Sequence, residues 1–498
     1  MGAGIAQLAA QAGRATLLHD PDPQALAAGL VKLSAGLERM VADGRITSND
    51  AAAASGRVTP VPTLELLAPC EIVIEAVPER LAIKLELFAR LAQILTADCV
   101  LATNTSSLSI TEIAAGTPGP ERVVGLHFFN PAPVMRLVEV IAGEQTGARA
   151  LALARELGAE MGKRVVDAAD VAGFLVNRVN RPYSLESLQV LQERVAEPEQ
   201  IDRIARTAGG FRMGPFELMD LIGIETNHAV AESLSRATFG EPRYRPSPLT
   251  ARKVAAGHLG RKTSRGWYDY ADGVRSPQDN PAPVPGGGGG RELLITGQLP
   301  AADAVRAAAA AAGYSVLGVP ADAADDPWLT LDFGAQRGPG DGARGPRVRH
   351  LHAGSLHELE PAAAGLHVLL PLATAAEVTA TVRTSRAASE RLDELLRSIG
   401  LHPEHVADTP GLVLGRVVAQ LINEAAFMIG EGNGTAADID AGMTLGVNHP
   451  RGPIAWSREL GLDHVTAILD ALHREYGAER YRTAPLLRSC VRIGAELG

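Results

Sequence analysis

A nine-residue segment of this chain recurs 238 positions further on, and this repeat restricts the possible folds more than any other feature. Asp170-Val-Ala-Gly-Phe-Leu-Val-Asn-Arg178 returns as Asp408-Thr-Pro-Gly-Leu-Val-Leu-Gly-Arg416. The same offset continues without a gap through the pairs Glu186 and Glu424, Ile201 and Ile439, Gly214 and Gly452, and Gly223 and Gly461. A register held over this distance indicates a duplication. We therefore predict two copies of one unit, each an α/β part followed by a helical part, with the second α/β part much shortened.

The chain up to about residue 167 alternates short β-branched runs with longer helical patterns. This alternation is typical of a parallel sheet covered by helices. The predicted strands are Ala15–His19, Glu71–Val77, Cys99–Thr103, Arg122–Leu126 and Lys163–Asp167, and the predicted helices include Pro23–Gly44 and Glu79–Leu95. After Asp170 the strands stop, and a helical pattern continues to about Leu259.

A proline-rich stretch from Ser276 to Pro285, followed by five glycines, divides the chain and favours a linker. Beyond it, the predicted strands Glu292–Ile295, Ser315–Val319, Thr330–Phe333 and His367–Leu370, with a helix over Ala301–Gly313, indicate a smaller α/β unit. From about Arg391 the pattern is helical again. The predicted parts are an α/β domain (1–168), a helical domain (169–270), a linker (271–290), a reduced α/β domain (291–395) and a second helical domain (396–498).

Composition excludes several classes of protein. The 498 residues carry a net charge of −10, which argues against nucleic acid as a partner. No stretch reaches the roughly 20 apolar residues that cross a membrane. Cys70, Cys99 and Cys490 are too few and too scattered for a disulfide framework or a metal site, so we expect a reducing compartment and no metal. Met1–Ala10 has no basic start, so we expect no signal peptide and a cytoplasmic location.

The N-terminal residues carry part of a dinucleotide-binding fingerprint. A Rossmann fold places a first strand before a Gly-x-Gly-x-x-Gly turn that binds the pyrophosphate, and an acidic residue about 20 residues on binds the ribose. Gly2 supplies the last glycine and Asp20 the acid, which favours NAD over NADP, while the first strand and the first two glycines are absent. Alternatively, Gly2 to Gly4 is a flexible terminus and Asp20 caps the next helix.

Polar residues follow two of the predicted strands, at the sheet edge where open parallel sheets bind ligands. Asn104-Thr-Ser106-Ser follows one strand, and His127-Phe-Phe-Asn130-Pro follows another. Glu139 comes twelve residues after His127. Oxidation of a secondary alcohol requires a base for the hydroxyl proton, and a histidine held by a carboxylate suits that task. His127 with Glu139 fits these roles.

Each of these residues alone also has a structural interpretation. His127 could be a hydrogen-bonded core residue, Glu139 an edge charge and Ser106 a helix cap. Asn130 before Pro131 could set a turn. Their joint order and spacing favour the functional interpretation.

Together these segments resemble the L-3-hydroxyacyl-CoA dehydrogenases of β-oxidation. The resemblance implies that His127 is the catalytic base, that Glu139 is its partner, and that Ser106 hydrogen-bonds the substrate oxygen. It implies that Asn177, in Gly-Phe-Leu-Val-Asn-Arg, helps bind the carbonyl end of an acyl-CoA thioester. It also implies NAD as cofactor, on a Rossmann-type domain followed by an all-α domain. The implied cofactor contacts, with Gly2 of the glycine turn, are Asp20, Glu79, Lys84, Asn130 and Lys262.

The second half is similar to the second copy in long bacterial members of the family, which act on 3-hydroxyadipyl-CoA or 3-hydroxybutyryl-CoA. Asn177 becomes Gly415 there, and no His-Phe-Phe-Asn-Pro motif follows the linker, so we infer one active site. We expect the second helical domain to pack on the first as a sister subunit would, giving an intramolecular pseudo-dimer, or else a homodimer. Two other functions stay open: a dehydrogenase of a 3-hydroxy acid without CoA, and a non-catalytic binding or scaffold protein.

Overall fold

The computed structural model describes residues 1–271, 273, 279–317, 327–335 and 345–498. They form two compact units: residues 1–178 with 433–447, and residues 179–432 with 448–498. No helix in these ranges is long and apolar enough to cross a membrane. The end of the predicted strand Ser315–Val319 and residues 274–278 of the predicted linker lie outside the described residues.

The chain opens with an α/β region. Its elements are α1 (Gly2–Gln11), β1 (Thr16–Leu18), α2 (Pro23–Ala42), α3 (Ser48–Gly56), β2 (Val58–Pro60), β3 (Ile72–Glu75), α4 (Leu81–Ile94), β4 (Val100–Thr103), α5 (Ile110–Ala115), β5 (Val123–Phe128), β6 (Leu137–Ala142), α6 (Ala148–Glu160), β7 (Arg164–Ala169) and α7 (Val176–Val179).

Five strands form one sheet in the order β3-β4-β5-β6-β7, in which only β5 and β6 run antiparallel. β4 and β5 are buried along their whole length, as expected for strands covered by helices on both faces. The apolar core joins Val100 and Ala102 of β4 to Leu126 of β5 and to Ala154 and Leu157 of α6. The five strands predicted in this region are all present, with ends shifted by at most two residues.

β1 and β2 form a separate parallel pair, and within the described ranges no strand joins that pair to the five-stranded sheet. Helix α1 packs there through Ala6 and Ala10, against Leu33 and Leu37 of α2. Asp22 caps α2 by accepting a hydrogen bond from the Gln24 amide, and Pro23 occupies the first turn. The alternative that Asp20 caps this helix is therefore wrong by two residues, although Asp20 Oδ1 accepts a hydrogen bond from the Asp22 amide at 3.0 Å.

The next region is helical. Its helices are α8 (Arg181–Gln192), α9 (Pro198–Thr207), α10 (Pro215–Ile222), α11 (Ile224–Ala237) and α12 (Pro248–Ala255).

A second α/β region follows the linker, whose glycine end is hydrogen-bonded to it through the Gly286, Gly288 and Gly290 amides. Its elements are β8 (Glu292–Thr296), α13 (Pro300–Ala311), β9 (Ser315–Leu317), β10 (Leu329–Asp332), β11 (Arg347–His350), α14 (Leu356–Leu359), β12 (Ala364–His367), β13 (Ala375–Thr379), α15 (Arg386–Ser398) and β14 (His402–His405). The chain ends with α16 (Leu414–Gly430), α17 (Ala436–Ala441), α18 (Pro453–Leu460), α19 (Leu462–Tyr476) and α20 (Pro485–Ile493).

The second α/β region is shorter than the first, from Glu292 to His405 against Gly2 to Ala169, yet its sheet has seven described strands in the order β14-β13-β12-β11-β10-β8-β9. Two expectations for this region are wrong. The strand expected over His367–Leu370 lies three residues earlier, because β12 begins with Ala364 and Gly365, which have weak strand signals. The predicted boundary at residue 395 falls inside α15, and β14 still belongs to the sheet.

The two helical regions meet within the second unit, where α8 packs against α16. Glu186 of α8 accepts hydrogen bonds from Arg416 Nε and Nη2 of α16 at 2.9 and 2.7 Å, and both side chains are 0% exposed. In the reverse direction, Glu424 of α16 accepts from Tyr244 Oη at 2.5 Å and from Arg243 Nη1 at 2.7 Å. Glu186 and Glu424 are partners in the 238-residue repeat, so each copy supplies the same buried carboxylate to the other.

Residues 433–447, from the second helical region, belong to the first unit. Asp438 pairs with Arg164 of β7 at 2.9 Å. A β-carbon on Gly442 would lie 2.8 Å from Leu175 Cδ2 and 2.9 Å from Val176 Cγ2. The glycine therefore allows this segment to pack closely behind residues 175 and 176.

Candidate active site

His127 and Glu139 face each other across the antiparallel strands β5 and β6. The His127 Nδ1 and Glu139 Oε2 atoms are 2.6 Å apart, and Glu139 is 0% exposed. The other carboxylate oxygen of Glu139 accepts hydrogen bonds from the Leu175 and Val176 amides at 3.1 and 2.9 Å. A carboxylate fixed in this way holds the imidazole with its Nδ1–H toward Glu139 and leaves Nε2 to take up a proton.

Apolar rings surround the imidazole. The ring centres of Phe129 and Phe174 lie 4.6 and 6.0 Å from that of His127, which is 5% exposed. Exclusion of water strengthens the interaction between His127 and Glu139.

Ser106 lies in the turn after β4, and Glu79 organises this turn. Glu79 Oε1 accepts hydrogen bonds from Thr105 Oγ1 at 2.6 Å and from the Ser106 and Ser107 amides at 2.8 and 3.0 Å. Burial raises the pKa of Glu79, but the hydrogen bond from Thr105 and the charge of Lys84 outweigh it, and the pKa lies below its ordinary value. Glu79 is therefore an anion that positions the serine turn.

Lys84 is buried below this turn, at 1% exposure. Its Nζ lies 2.7 and 2.8 Å from the two oxygens of Glu75, and 3.3 Å from Glu79 Oε2. Thr103 Oγ1 also donates to Glu75, at 2.7 Å. The structure thus places Lys84 in an ion network that supports the ends of β3 and β4, and a direct contact with the cofactor stays a prediction. Glu75 was not predicted, although a carboxylate ending a buried strand, nine residues before a lysine, was a readable signal.

Asn177 lies on α7, and its Nδ2 donates to the Ser106 carbonyl oxygen at 3.3 Å. This contact brings two of the predicted substrate-binding residues together. Asp170, which sequence reasoning did not single out as a site residue, ties the end of β7 to α5 by accepting from Ser109 Oγ and from the Ile110 and Thr111 amides at 2.7 to 2.9 Å. Its place at the head of the repeated segment was the available signal.

The predicted cofactor contacts occupy several places. Gly2 opens α1, where an added β-carbon would be 3.8 Å from Ala76 Cβ, so the helix begins beside the carboxyl end of β3. Asp20 is half-buried just after β1. A helix N-terminus whose amides are not capped by a side chain, with an acid after the neighbouring strand, fits the pyrophosphate and ribose of a dinucleotide.

Asn130 is exposed after β5, in a cis peptide bond to Pro131. The loop after Pro131 is stabilised by Lys163, which was not predicted as a site residue. Lys163 Nζ donates to the Ala132 and Met135 carbonyl oxygens, both at 2.7 Å. Lys262 lies in the second unit, where it pairs with Glu225. The roles of Asn130 and Lys262 toward the cofactor stay predictions.

The second half contains a counterpart of the histidine and glutamate pair that sequence reasoning missed. His367 faces Glu377 across the antiparallel strands β12 and β13, and Glu377 accepts hydrogen bonds from the Val413 and Leu414 amides. His367 Nδ1 lies 3.9 Å from Glu377 Oε2. The recurrence of Gly-Leu-His at 125–127 and 365–367 was a signal for it.

Among the described residues, no group of three or more His, Cys, Asp or Glu side chains is arranged to hold a metal ion.

Comparisons with known proteins show the family of this chain. The family profile of the 3-hydroxyacyl-CoA dehydrogenase NAD binding domain matches residues 1–171, and that of the C-terminal domain matches residues 173–270 and 411–496. The chain is 36% identical over 98% of its length to 3-hydroxyadipyl-CoA dehydrogenase of Escherichia coli, 94% of which is covered. It is 40% identical to 3-hydroxybutyryl-CoA dehydrogenase of Mycobacterium tuberculosis, over 54% of this chain and 95% of that protein.

A solved structure gives the same result over the whole chain. The crystal structure of 3-hydroxybutyryl-CoA dehydrogenase from Escherichia coli matches with a TM-score of 0.84 and 34% identity, covering 99% of this chain and 96% of that one. The architecture is therefore a Rossmann-type NAD-binding domain with helical C-terminal domains. The chain belongs to the 3-hydroxyacyl-CoA dehydrogenase family, NAD-dependent oxidoreductases that act on CoA thioesters.

Proposed function

We propose that the first unit holds a single active site, in which His127 is the base for the NAD-dependent oxidation of the 3-hydroxyl group of an L-3-hydroxyacyl-CoA. The contact of 2.6 Å between His127 Nδ1 and Glu139 Oε2 carries this assignment. NAD supplies the hydride acceptor when bound. His127 Nε2 takes the hydroxyl proton as the C3–H bond breaks, so that one proton and one hydride leave the alcohol and a ketone forms.

Glu139 has two tasks in this scheme. It holds the imidazole in the tautomer that presents an unprotonated Nε2, and its charge stabilises the imidazolium that forms. The Leu175 and Val176 amides keep the carboxylate in place, so no reorganisation is needed as the proton moves.

Ser106 and Asn177 orient the substrate. The bond from Asn177 Nδ2 to the Ser106 carbonyl oxygen at 3.3 Å holds the Asn177 amide beside the backbone of the serine turn, and Glu79 accepts from both the amide and the hydroxyl of Ser106, at 2.8 and 3.3 Å. Hydroxyl and amide groups at these places can hydrogen-bond the 3-oxygen and the thioester carbonyl, so the reacting carbon is held against His127.

Two observations support one site per chain and a structural task for the second half. Asn177 is replaced by Gly415 in the second copy, so that copy lacks a substrate-binding amide. The contacts of Glu186 with Arg416 and of Glu424 with Tyr244 join two related helical regions in the way that paired subunits join. We infer that the chain carries its own dimer-like partner, whose residues 433–447 also pack behind the backbone that holds Glu139.

The substrate is inferred from the relatives. We infer that it is 3-hydroxyadipyl-CoA or 3-hydroxybutyryl-CoA. The relatives that match over nearly the whole chain are named as dehydrogenases of these two thioesters. The test measures NADH formation with NAD and three substrates: both CoA thioesters and free 3-hydroxybutyrate. We expect turnover of the thioesters only. Equal turnover of the free acid would favour the dehydrogenase of a 3-hydroxy acid without CoA.

A further inference from the structure

A ten-residue segment occurs once in each helical region of the second unit. Gly240-Glu-Pro-Arg-Tyr-Arg-Pro-Ser-Pro-Leu249 returns as Gly477-Ala-Glu-Arg-Tyr-Arg-Thr-Ala-Pro-Leu486, with six identical residues and an offset of 237. The tyrosine of each segment donates to the buried glutamate of the other copy, at 2.5 Å from Tyr244 and at 3.1 Å from Tyr481. The two segments therefore contact the helix pair α8 and α16 in equivalent ways.

On α16, a phenylalanine ring and a carboxylate join the arginines of the two segments. Phe427 is 5% exposed, and the guanidinium carbons of Arg243 and Arg482 lie 3.8 and 4.8 Å from its ring centre. Glu241 accepts from the same two arginines, from Arg243 Nε at 3.1 Å and from Arg482 Nη2 at 3.0 Å. Cation–π contacts and charge-assisted hydrogen bonds thus hold this place together.

On α8, the ring and the carboxylate are both missing. The position of the phenylalanine holds Gln189 and that of the glutamate holds Ala478, while the two arginines recur as Arg480 and Arg245. Arg480 Nη2 lies 3.2 Å from Glu186 Oε2, and its Nη1 donates to Gln189 Oε1 at 3.4 Å. Arg245 is exposed, and its side chain has no hydrogen-bond or ion-pair partner among the described residues. The arginine pair is therefore retained without the groups that join it on α16.

A cavity of about 470 Å³ lies at this place on α8. Its lining includes the glutamine, the alanine and the two arginines, together with Leu185, three prolines of residues 242–248, and Glu479. Leu185 is 3% exposed and, with the prolines, gives the cavity apolar surface. Arg245 and Arg480 outnumber the one carboxylate, so the lining favours an anion. The volume is within the roughly 300 to 1,000 Å³ of small-molecule sites.

We propose that this cavity binds a small aromatic carboxylate, whose ring and charge replace the phenylalanine ring and the glutamate carboxylate found on α16. The ring covers Leu185 and the prolines and stacks on the guanidinium groups. The carboxylate is bound by Arg245, the cation without a protein partner. An inorganic anion would leave the apolar surface uncovered, so the ring adds to the binding free energy. All lining residues belong to the second unit, and the site is independent of the function proposed above.

The ligand contacts both helical regions, because α8 and residues 242–248 come from the first and residues 477–480 from the second. Binding to the folded protein alone raises the free energy of unfolding. An aromatic carboxylate should therefore stabilise the second unit, in which the two regions meet.

Benzoate is the probe, and calorimetric titration of the full-length protein measures its binding. We expect one molecule per chain with a dissociation constant of about 1 mM or lower. Benzamide keeps the ring without the charge, and acetate keeps the carboxylate without the ring. Each should bind at least about tenfold more weakly than benzoate. Saturating benzoate should also raise the urea concentration at the midpoint of unfolding.

Two variants test the location of the site. Gln189→Phe combined with Ala478→Glu introduces the side chains of the other copy and should abolish benzoate binding. Arg245→Met should weaken benzoate binding at least about tenfold and leave urea stability unchanged, because the arginine is exposed. Arg252→Met, at an exposed position of α12, is the matched control and should bind benzoate like the unmodified protein.

The contradicting outcomes differ from one another. No binding of benzoate to the unmodified protein at about 10 mM would overturn the proposal. Equal binding of acetate and benzoate would indicate a simple anion site and would also overturn it. Unchanged benzoate affinity in Arg245→Met would exclude this cavity, and that variant decides the location alone if the double variant fails to fold.

Discussion

A β-carbon at Gly415 would lie 2.6 Å from Cε1 and Nε2 of His367, so the ring of His367 occupies the space that a side chain at position 415 needs. In the first copy, the corresponding position holds Asn177. His367 Nε2 also lies 3.4 Å from Nε2 of His464 and is 1% exposed. The second histidine and glutamate pair therefore keeps its strand register, but the space beside Nε2 of its histidine is filled by protein.

Replacement of His367 tests this closed second site. His367→Gln should leave kcat per folded chain within about twofold, because the proposed active site lies in the first unit. NAD should bind with one molecule per chain before and after the substitution. A large loss of kcat at unchanged stability, or two NAD molecules per chain, would contradict a single site.

The stability of the second unit should fall in acid. Burial lowers the pKa of five histidines: that of His352 to about 4, those of His367 and His449 to about 3, and those of His350 and His464 well below their ordinary value. Below the unfolded pKa of about 6.5 the unfolded chain binds protons that the folded chain excludes, so each group costs about 1.4 kcal/mol per pH unit. This loss begins near pH 6.5 and ends at the folded pKa.

Two buried carboxyls act in the opposite sense. Burial raises the pKa of Glu377 to about 8 and that of Asp202 to about 7, so their protonated forms favour the fold at lower pH. Five histidines outnumber two carboxyls, and the free energy of unfolding should decrease from pH 6.5 to pH 5. Urea unfolding at pH 6.5 and at pH 5 measures this decrease in the free energy of unfolding, and His464→Phe should make the decrease smaller. A stability that is constant or rises over this range would contradict neutral buried histidines.

The contact between Glu186 and Arg416 should stabilise the pairing of the two helical regions. Arg416→Met leaves Glu186 buried beside fewer donors and should lower the free energy of unfolding by about 3 kcal/mol. The exposed pair Arg386 and Glu390 is the control, and Arg386→Met should have no measurable effect. If Arg416→Met and Arg386→Met have the same free energy of unfolding, the buried pair does not hold the helical regions together.

The side chains proposed to be catalytic could be picked out from the sequence because each belongs to a short motif. His127, Glu139, Ser106 and Asn177 are such cases, and the structure brings them together in two pairs. The support behind them is less visible, because Glu75 and Lys84 lie on two different elements and their side chains meet only when α4 packs beside β3. A buried ion pair has no periodic pattern.

The strands of the second α/β region were hard to predict for a related reason. β11 carries Arg347 and Arg349, whose charges are neutralised by Glu360 and Asp332 from other segments. β14 contains Pro403, which is tolerated because this strand lies at the sheet edge. Tertiary partners therefore permit strands that local composition argues against.

Turnover by His127→Gln tests the central claim most directly. Glutamine keeps a polar side chain of similar length but cannot accept and hold the hydroxyl proton, so kcat for an L-3-hydroxyacyl-CoA should fall by a factor of about 100 to 10,000. NAD affinity and urea stability should be retained, which shows that the protein is folded. A variant that binds NAD normally and turns over at a rate close to that of the unmodified chain would contradict His127 as the base.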